Sequence, residues 1–91
     1  MPKYMIEIAH ENTKLACSLS VMETLKFGSH FVSHADWGCK DDVHKAWITV
    51  ELDSKQEAMG ILPPLLRQSA TVTEVNHYEI DDMDALIDLH A

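Results

Sequence analysis

The sequence predicts an α+β domain with the element order β-α-β-β-α-β, and three observations carry that reading. Four segments, residues 3–10, 29–37, 43–52 and 70–80, have strand length and either alternate apolar with polar residues or are rich in β-branched ones. The segment after the first strand and the segment after the third carry caps and apolar residues at helical spacing. Between the second and third strands stands a glycine-led polar turn, the sign of a direct β-β connection.

Each element follows from its residues. Residues 3–10 place Tyr4, Ile6 and Ile8 on one side and Lys3, Met5, Glu7 and Ala9 on the other, the period of a half-buried strand. Asn12 or Thr13 caps a helix whose Leu15, Leu19, Met22 and Leu25 form an apolar stripe for the core, and Gly28 stops it. Residues 29–37 alternate His30, Val32, His34 and Asp36 with Phe31, Ser33, Ala35 and Trp37. Gly38 to Asp42 make the turn, and residues 43–52 align His44, Ala46, Ile48, Val50 and Leu52. Ser54 with Glu57 three positions on opens a second helix, which runs to about Leu62 before Pro63 and Pro64 break it. Residues 70–80 form the fourth strand, and the tail DDMDALIDLH adds a short helix with acidic residues at its start. The order is that of a ferredoxin-like unit, a four-stranded antiparallel sheet with two helices on one face. The domain spans residues 1–80, and 81–91 form a C-terminal helical tail.

Composition narrows the function classes. Ninety-one residues support one modest core, at a size where association often supplements burial. Apolar residues make up 46% and charged residues 24%, an ordinary globular balance. Seven basic residues against fifteen acidic ones give a formal charge of -8, a surface that repels phosphate backbones, so no nucleic-acid partner is expected. No apolar run reaches membrane-spanning length, and the start, MPKYMIEIAHE, has no signal-peptide pattern, so no membrane partner is expected either. Two cysteines, Cys17 and Cys39, do not make a disulfide framework and suit a reducing compartment. The expected location is cytoplasmic.

The stretch HADWGCKDDVH, residues 34–44, concentrates the ligand-type side chains. If Trp37 opposes Val43, Asp36 opposes His44 and His34 is its diagonal neighbour, within reach across strands. Extending the core-facing parity of each strand puts His10, His34, Asp36 and His44 on one face at one end of the sheet, with Cys39 in the adjoining turn. Imidazole, thiolate and carboxylate together suit a transition-metal ion, zinc or nickel before others, held by His34, Cys39 and His44 with His10 or Asp36 completing the shell. The metal, and a helix N-terminus arriving at the same edge, favour the Cys39 thiolate. The H-x4-C-x4-H spacing is not a zinc-finger pattern. Two other readings stay open: a hydrogen-bonded polar mouth of the core, or an acid/base site for a small-molecule ligand, with His44, Asp36 and His34 as the proton-transfer groups. Cys17, beside the leucine stripe, reads as a buried hydrophobe. His30 and His77 belong to the far end of the sheet, and His90 to the tail.

The opposite face carries Phe31, Trp37 and Trp47 with Met5 and Ala35, an apolar patch that sheet-on-sheet packing in a homodimer would cover. With that face, GSHFVSHADWGCKDDVHKAWITVELDS, a helix and ATVTEVNHYEI, the chain resembles, over residues 3–80, the small proteins of the dimeric α/β-barrel superfamily. These include muconolactone isomerases, small cofactor-free monooxygenases, stress-responsive barrel proteins and a small nickel-binding group, whose layout is the most similar. The resemblance implies a ferredoxin-like homodimer that binds a metal ion. The alternative it implies is an isomerase or cofactor-free monooxygenase using the same polar end of the sheet.

Overall fold

The computed structural model describes residues 1–90. Four strands, β1 (Lys3–Ala9), β2 (Asp36–Trp37), β3 (Lys45–Glu51) and β4 (Ala70–Val75), form one antiparallel sheet in the order β2-β3-β1-β4. The helices are α1 (Lys14–Phe27), α2 (Lys55–Gly60) and α3 (Met83–Leu89), with 3₁₀ turns at Val32–His34, Cys39–Asp41, Pro64–Ser69 and Ile80–Asp82. The architecture is α+β, with β1 in the middle of the sheet.

The period-2 pattern of the two central strands is realised as read. Tyr4 pairs with Val50, Ile6 with Ile48 and Ile8 with Ala46, and all six are buried on one face. Ala58, Leu62 and Leu66, from α2 and the turns after it, join Val32 over that face to close the core. The Ser54 side chain accepts from the Glu57 N–H at 3.1 Å, and the Glu57 carboxylate reaches back to the Asp53 N–H at 2.9 Å. That reciprocal cap starts α2 where the sequence places it.

Three expectations are corrected. Residues 29–35 are not strand: Val32–His34 is a 3₁₀ turn, and β2 is only Asp36–Trp37. The fourth strand ends at Val75, and the residues before Ile80 carry no ladder. The leucine stripe of α1 faces outward: Leu15, Leu19, Met22 and Leu25 are 52 to 69% exposed, and no α1 residue joins the apolar core. The helix instead turns its small, polar side inward. Thr24 is its one buried residue, with the hydroxyl bonded to the Ser20 carbonyl at 2.9 Å, while Ala16, Cys17, Ser20 and Val21 are half-buried. Thr13 caps the helix through the Ala16 N–H at 3.0 Å. Gly28 ends it without a left-handed residue. Its φ is -76°, and glycine is required because a Cβ there would lie 2.3 Å from the Thr24 carbonyl oxygen.

Candidate metal centre

The ladder of β1 and β3 continues one step past its last strand pair, with the His10 N–H donating to the His44 carbonyl at 3.0 Å. That step places both imidazoles at the same end of the sheet, their centroids 5.5 Å apart and their planes at 67°. Between β2 and β3 the chain folds back through Gly38. Its N–H donates to Lys45, and its carbonyl accepts from Asp41 and Val43. A Cβ on Gly38 would stand 2.7 Å from the Val43 oxygen and 2.8 Å from the Trp47 ring, so the turn needs glycine for close approach. The fold-back puts the Cys39 sulfur 3.2 Å from His10 Nε2. Ligand atoms of His10, Cys39 and His44 all lie within 4.8 Å of one another, and each of the three residues is half-buried.

Both imidazoles have their outward nitrogen occupied. His10 Nδ1–H donates to the Glu11 carbonyl at 2.9 Å, which leaves Nε2 as a lone pair facing Cys39. His44 Nε2–H donates to the Asp42 carboxylate at 2.9 Å, and its Nδ1 is buried with no hydrogen-bond partner. A carboxylate or carbonyl behind an imidazole fixes the tautomer and aims the other nitrogen, the arrangement that supports metal-bound histidines. Asp42 reaches that position through a left-handed backbone, φ 60°, the sole positive φ outside glycine among the described residues. Aspartate adopts that conformation at lower cost than most residues.

Cys17 touches the group from α1, its thiol 3.4 Å from the Cys39 sulfur. Burial pushes the Cys39 thiol up, and the Cys17 sulfur beside it pushes further through a hydrogen bond and its charge; only a backbone hydrogen bond opposes them. These effects work against the Cys39 thiolate, so its formation depends on a bound ion. Trp37 stands over the group, its ring centroid 6.0 Å from that of His10.

Of the residues read from the sequence, the structure brings together His10, Cys39 and His44 and leaves out His34 and Asp36. The reason is register. Trp37 pairs with Ala46 and Asp36 with Trp47, so Trp37 takes the core face and Asp36 the opposite, exposed one. The expected pairing, Trp37 with Val43, differs from this by three positions, and an odd slip exchanges the faces of every residue in the strand. His34 sits exposed in its 3₁₀ turn, its ring against that of His30 at 4.7 Å. Cys17, read as a buried hydrophobe, and Asp42, read as a turn residue, both touch the group, through Cys39 and His44 respectively. The sequence signal for Cys17 is its position one turn into a helix that starts where β1 ends; for Asp42 it is the two-residue spacing to His44. A cleft of about 240 Å³ opens beside His10, lined also by Ala16, Leu19, Ser20 and Leu66 but not by His44.

No helix among the described residues is long and apolar enough to cross a membrane. No family model, curated protein or solved structure matches the chain.

Proposed function

We propose that the chain binds a transition-metal ion, with zinc favoured over nickel, through His10 Nε2, Cys39 Sγ and His44 Nδ1. The observation that carries this reading is the orphaned His44 Nδ1. A buried nitrogen left unpaired costs about 1–3 kcal/mol, and an ion held at the three converging ligand atoms would offset that cost. Mixed nitrogen and sulfur donors select zinc and its neighbours over magnesium or calcium. Binding drives the proton off Cys39, against the burial and the Cys17 contact that push its thiol up. With both thiols free, the chain suits a reducing compartment such as the cytoplasm.

The test is metal analysis after equilibrium dialysis against zinc, on protein without a polyhistidine tag. The parent should retain about one ion per chain, Cys39→Ala and His44→Ala should retain almost none, and His34→Ala should match the parent. A parent that comes out of dialysis empty refutes the reading. The acid/base alternative finds less support: Asp36 and His34, two of its three proton-transfer groups, lie away from His44, and the cleft at this end of the sheet is not lined by His44.

We propose further that the unit is ferredoxin-like and pairs with a second copy through its open sheet face, as in the dimeric α/β-barrel superfamily. The strand order β2-β3-β1-β4 supports the first point. For the second, the open face carries Met5 and Trp47, and its central carboxylate, Glu7, is satisfied by Trp47 Nε1 at 3.1 Å and Lys45 Nζ at 3.4 Å. Removal of Trp37 to the core makes this patch smaller than the sequence implies. Sedimentation decides between faces: Trp47→Glu should dissociate the dimer, and a dimer that survives it but falls apart in Leu19→Glu would place the interface on α1 instead.

A further inference from the structure

We propose that Cys17 is the fourth ligand, so that the ion has a closed Cys2His2 shell and acts as a staple fastening helix α1 to the end of the sheet. The inference rests on the metal-binding reading and goes beyond it, in the ligand set and in what the ion does. Three observations support it.

The first is distance. Tetrahedral coordination at ordinary zinc-sulfur and zinc-nitrogen bond lengths sets ligand atoms about 3.8 Å apart for two sulfurs and about 3.6 Å apart for sulfur and nitrogen. The Cys17 and Cys39 sulfurs are 3.4 Å apart, and Cys39 Sγ is 3.2 Å from His10 Nε2. Both edges are shorter than the tetrahedral ones by about the same amount, so the Cys39 side opens slightly around an ion, while Cys17 lies outside the set of ligand atoms within 4.8 Å of one another and its sulfur moves inward on binding. A cysteine has one side-chain torsion to set, and a change in it re-aims the Cys17 sulfur.

The second is charge. Two thiolates and two neutral imidazoles cancel the charge of a divalent ion, whereas Cys39 alone would leave a net positive centre in a half-buried site. Binding breaks two S–H bonds, forms two sulfur-zinc bonds and releases two protons to solvent, with no change in oxidation state.

The third is the packing of α1. The helix contributes nothing to the apolar core, its leucines face outward, and its inward side is made of small or polar residues. A fourteen-residue helix held in this way lacks the apolar contact that normally fixes a helix to a sheet. Cys17 is on that inward side, in contact with the group that joins β1, the Gly38 turn and β3. Small domains with limited cores commonly use a metal for this purpose.

The test uses the full chain with cobalt(II) as a spectroscopic stand-in for zinc. Sulfur-to-cobalt charge-transfer absorption scales with the number of bound thiolates, so Cys17→Ser should give about half the parent intensity and bind zinc at least about a hundredfold more weakly, beyond what loss of an outer partner costs. Zinc should also slow amide exchange along α1 in the parent and leave it fast in Cys17→Ser. Should the variant fail to fold, alkylation of the unmodified chain decides: zinc should protect both cysteines. A parent with cobalt bound but a Cys17→Ser spectrum of equal intensity, or Cys17 alkylated as fast with zinc as without, overturns the staple and leaves the three-ligand site standing. A parent that takes up no ion overturns both.

Discussion

Replacing His44 with phenylalanine should reverse the order of stability between parent and variant according to whether zinc is present. Phenylalanine, somewhat larger, keeps an aromatic ring in edge contact with His10 but removes the unpaired Nδ1. Relief of that buried nitrogen is worth about 1–3 kcal/mol. The change also loses the bond to Asp42, whose side chain is 86% exposed, and an exposed pair contributes about 0–1 kcal/mol. Without metal the variant should therefore be about 1–2 kcal/mol more stable than the parent, or about 4–16 °C higher in Tm for a domain of this size. With zinc at a hundredfold excess over Kd the parent gains about 2.7 kcal/mol and the variant nothing, so the parent overtakes it. Urea unfolding of both chains, with chelator and with zinc, measures the four stabilities. A variant less stable than the parent in chelator by more than about 1 kcal/mol, yet still stabilised by zinc, would refute the argument that His44 is held unpaired for an ion.

The remaining expectations concern the supports of the site. Asp42→Asn keeps a residue that tolerates the left-handed backbone, but its amide can donate to His44 Nε2 and turn the protonated nitrogen inward; zinc affinity measured by chelator competition should fall about 10–100-fold. Gly38→Ala must push backbone against the Val43 carbonyl and the Trp47 ring, and should cost about 1–3 kcal/mol in urea unfolding. In the metal-free chain the Cys39 thiol is raised by burial and by Cys17, so above the ordinary thiol value the folded state holds a proton that the unfolded state has released. Stability should be full below that value and fall as pH rises through it. Tyr4, raised by burial and by Glu74, Asp53 and Glu57, extends the loss further into alkali. Zinc should make the trend at neutral pH run the other way, because the ion displaces thiol protons and binds more tightly as they become scarce; unfolding midpoints across the pH range, with and without metal, check both signs.

The central strands were legible because each has one face in the core and one outside it, and a period of two fixes such a strand. Ile6, Ile8, Ile48 and Val50 fall where that period puts them, and extending it brings His10 opposite His44. β2 was not legible in the same way. Two residues of ladder carry too little pattern to set a register, and the turn from Gly38, with a 3₁₀ segment and a left-handed Asp42, determines which face Trp37 takes. That single slip moved Asp36 away from the group and Trp37 over it. In α1 the sequence showed a stripe at helical spacing but not its direction. Leucines four apart mark an apolar face whether it meets the core or a partner, and here the small residues around Cys17 face inward. The same reversal explains why Cys17 reads as a core residue and sits on Cys39 instead.

The claim on which the rest depends is that the pair of imidazoles and the thiol of Cys39 enclose an ion. Titration of the reduced, tag-free chain with zinc in a calorimeter tests it most directly. A saturating isotherm at about one zinc per chain is expected, with thiol protons released to the buffer, and no isotherm in a chain carrying both His10→Ala and His44→Ala. Heats of dilution alone in the parent, or an unchanged isotherm in the double variant, would contradict it.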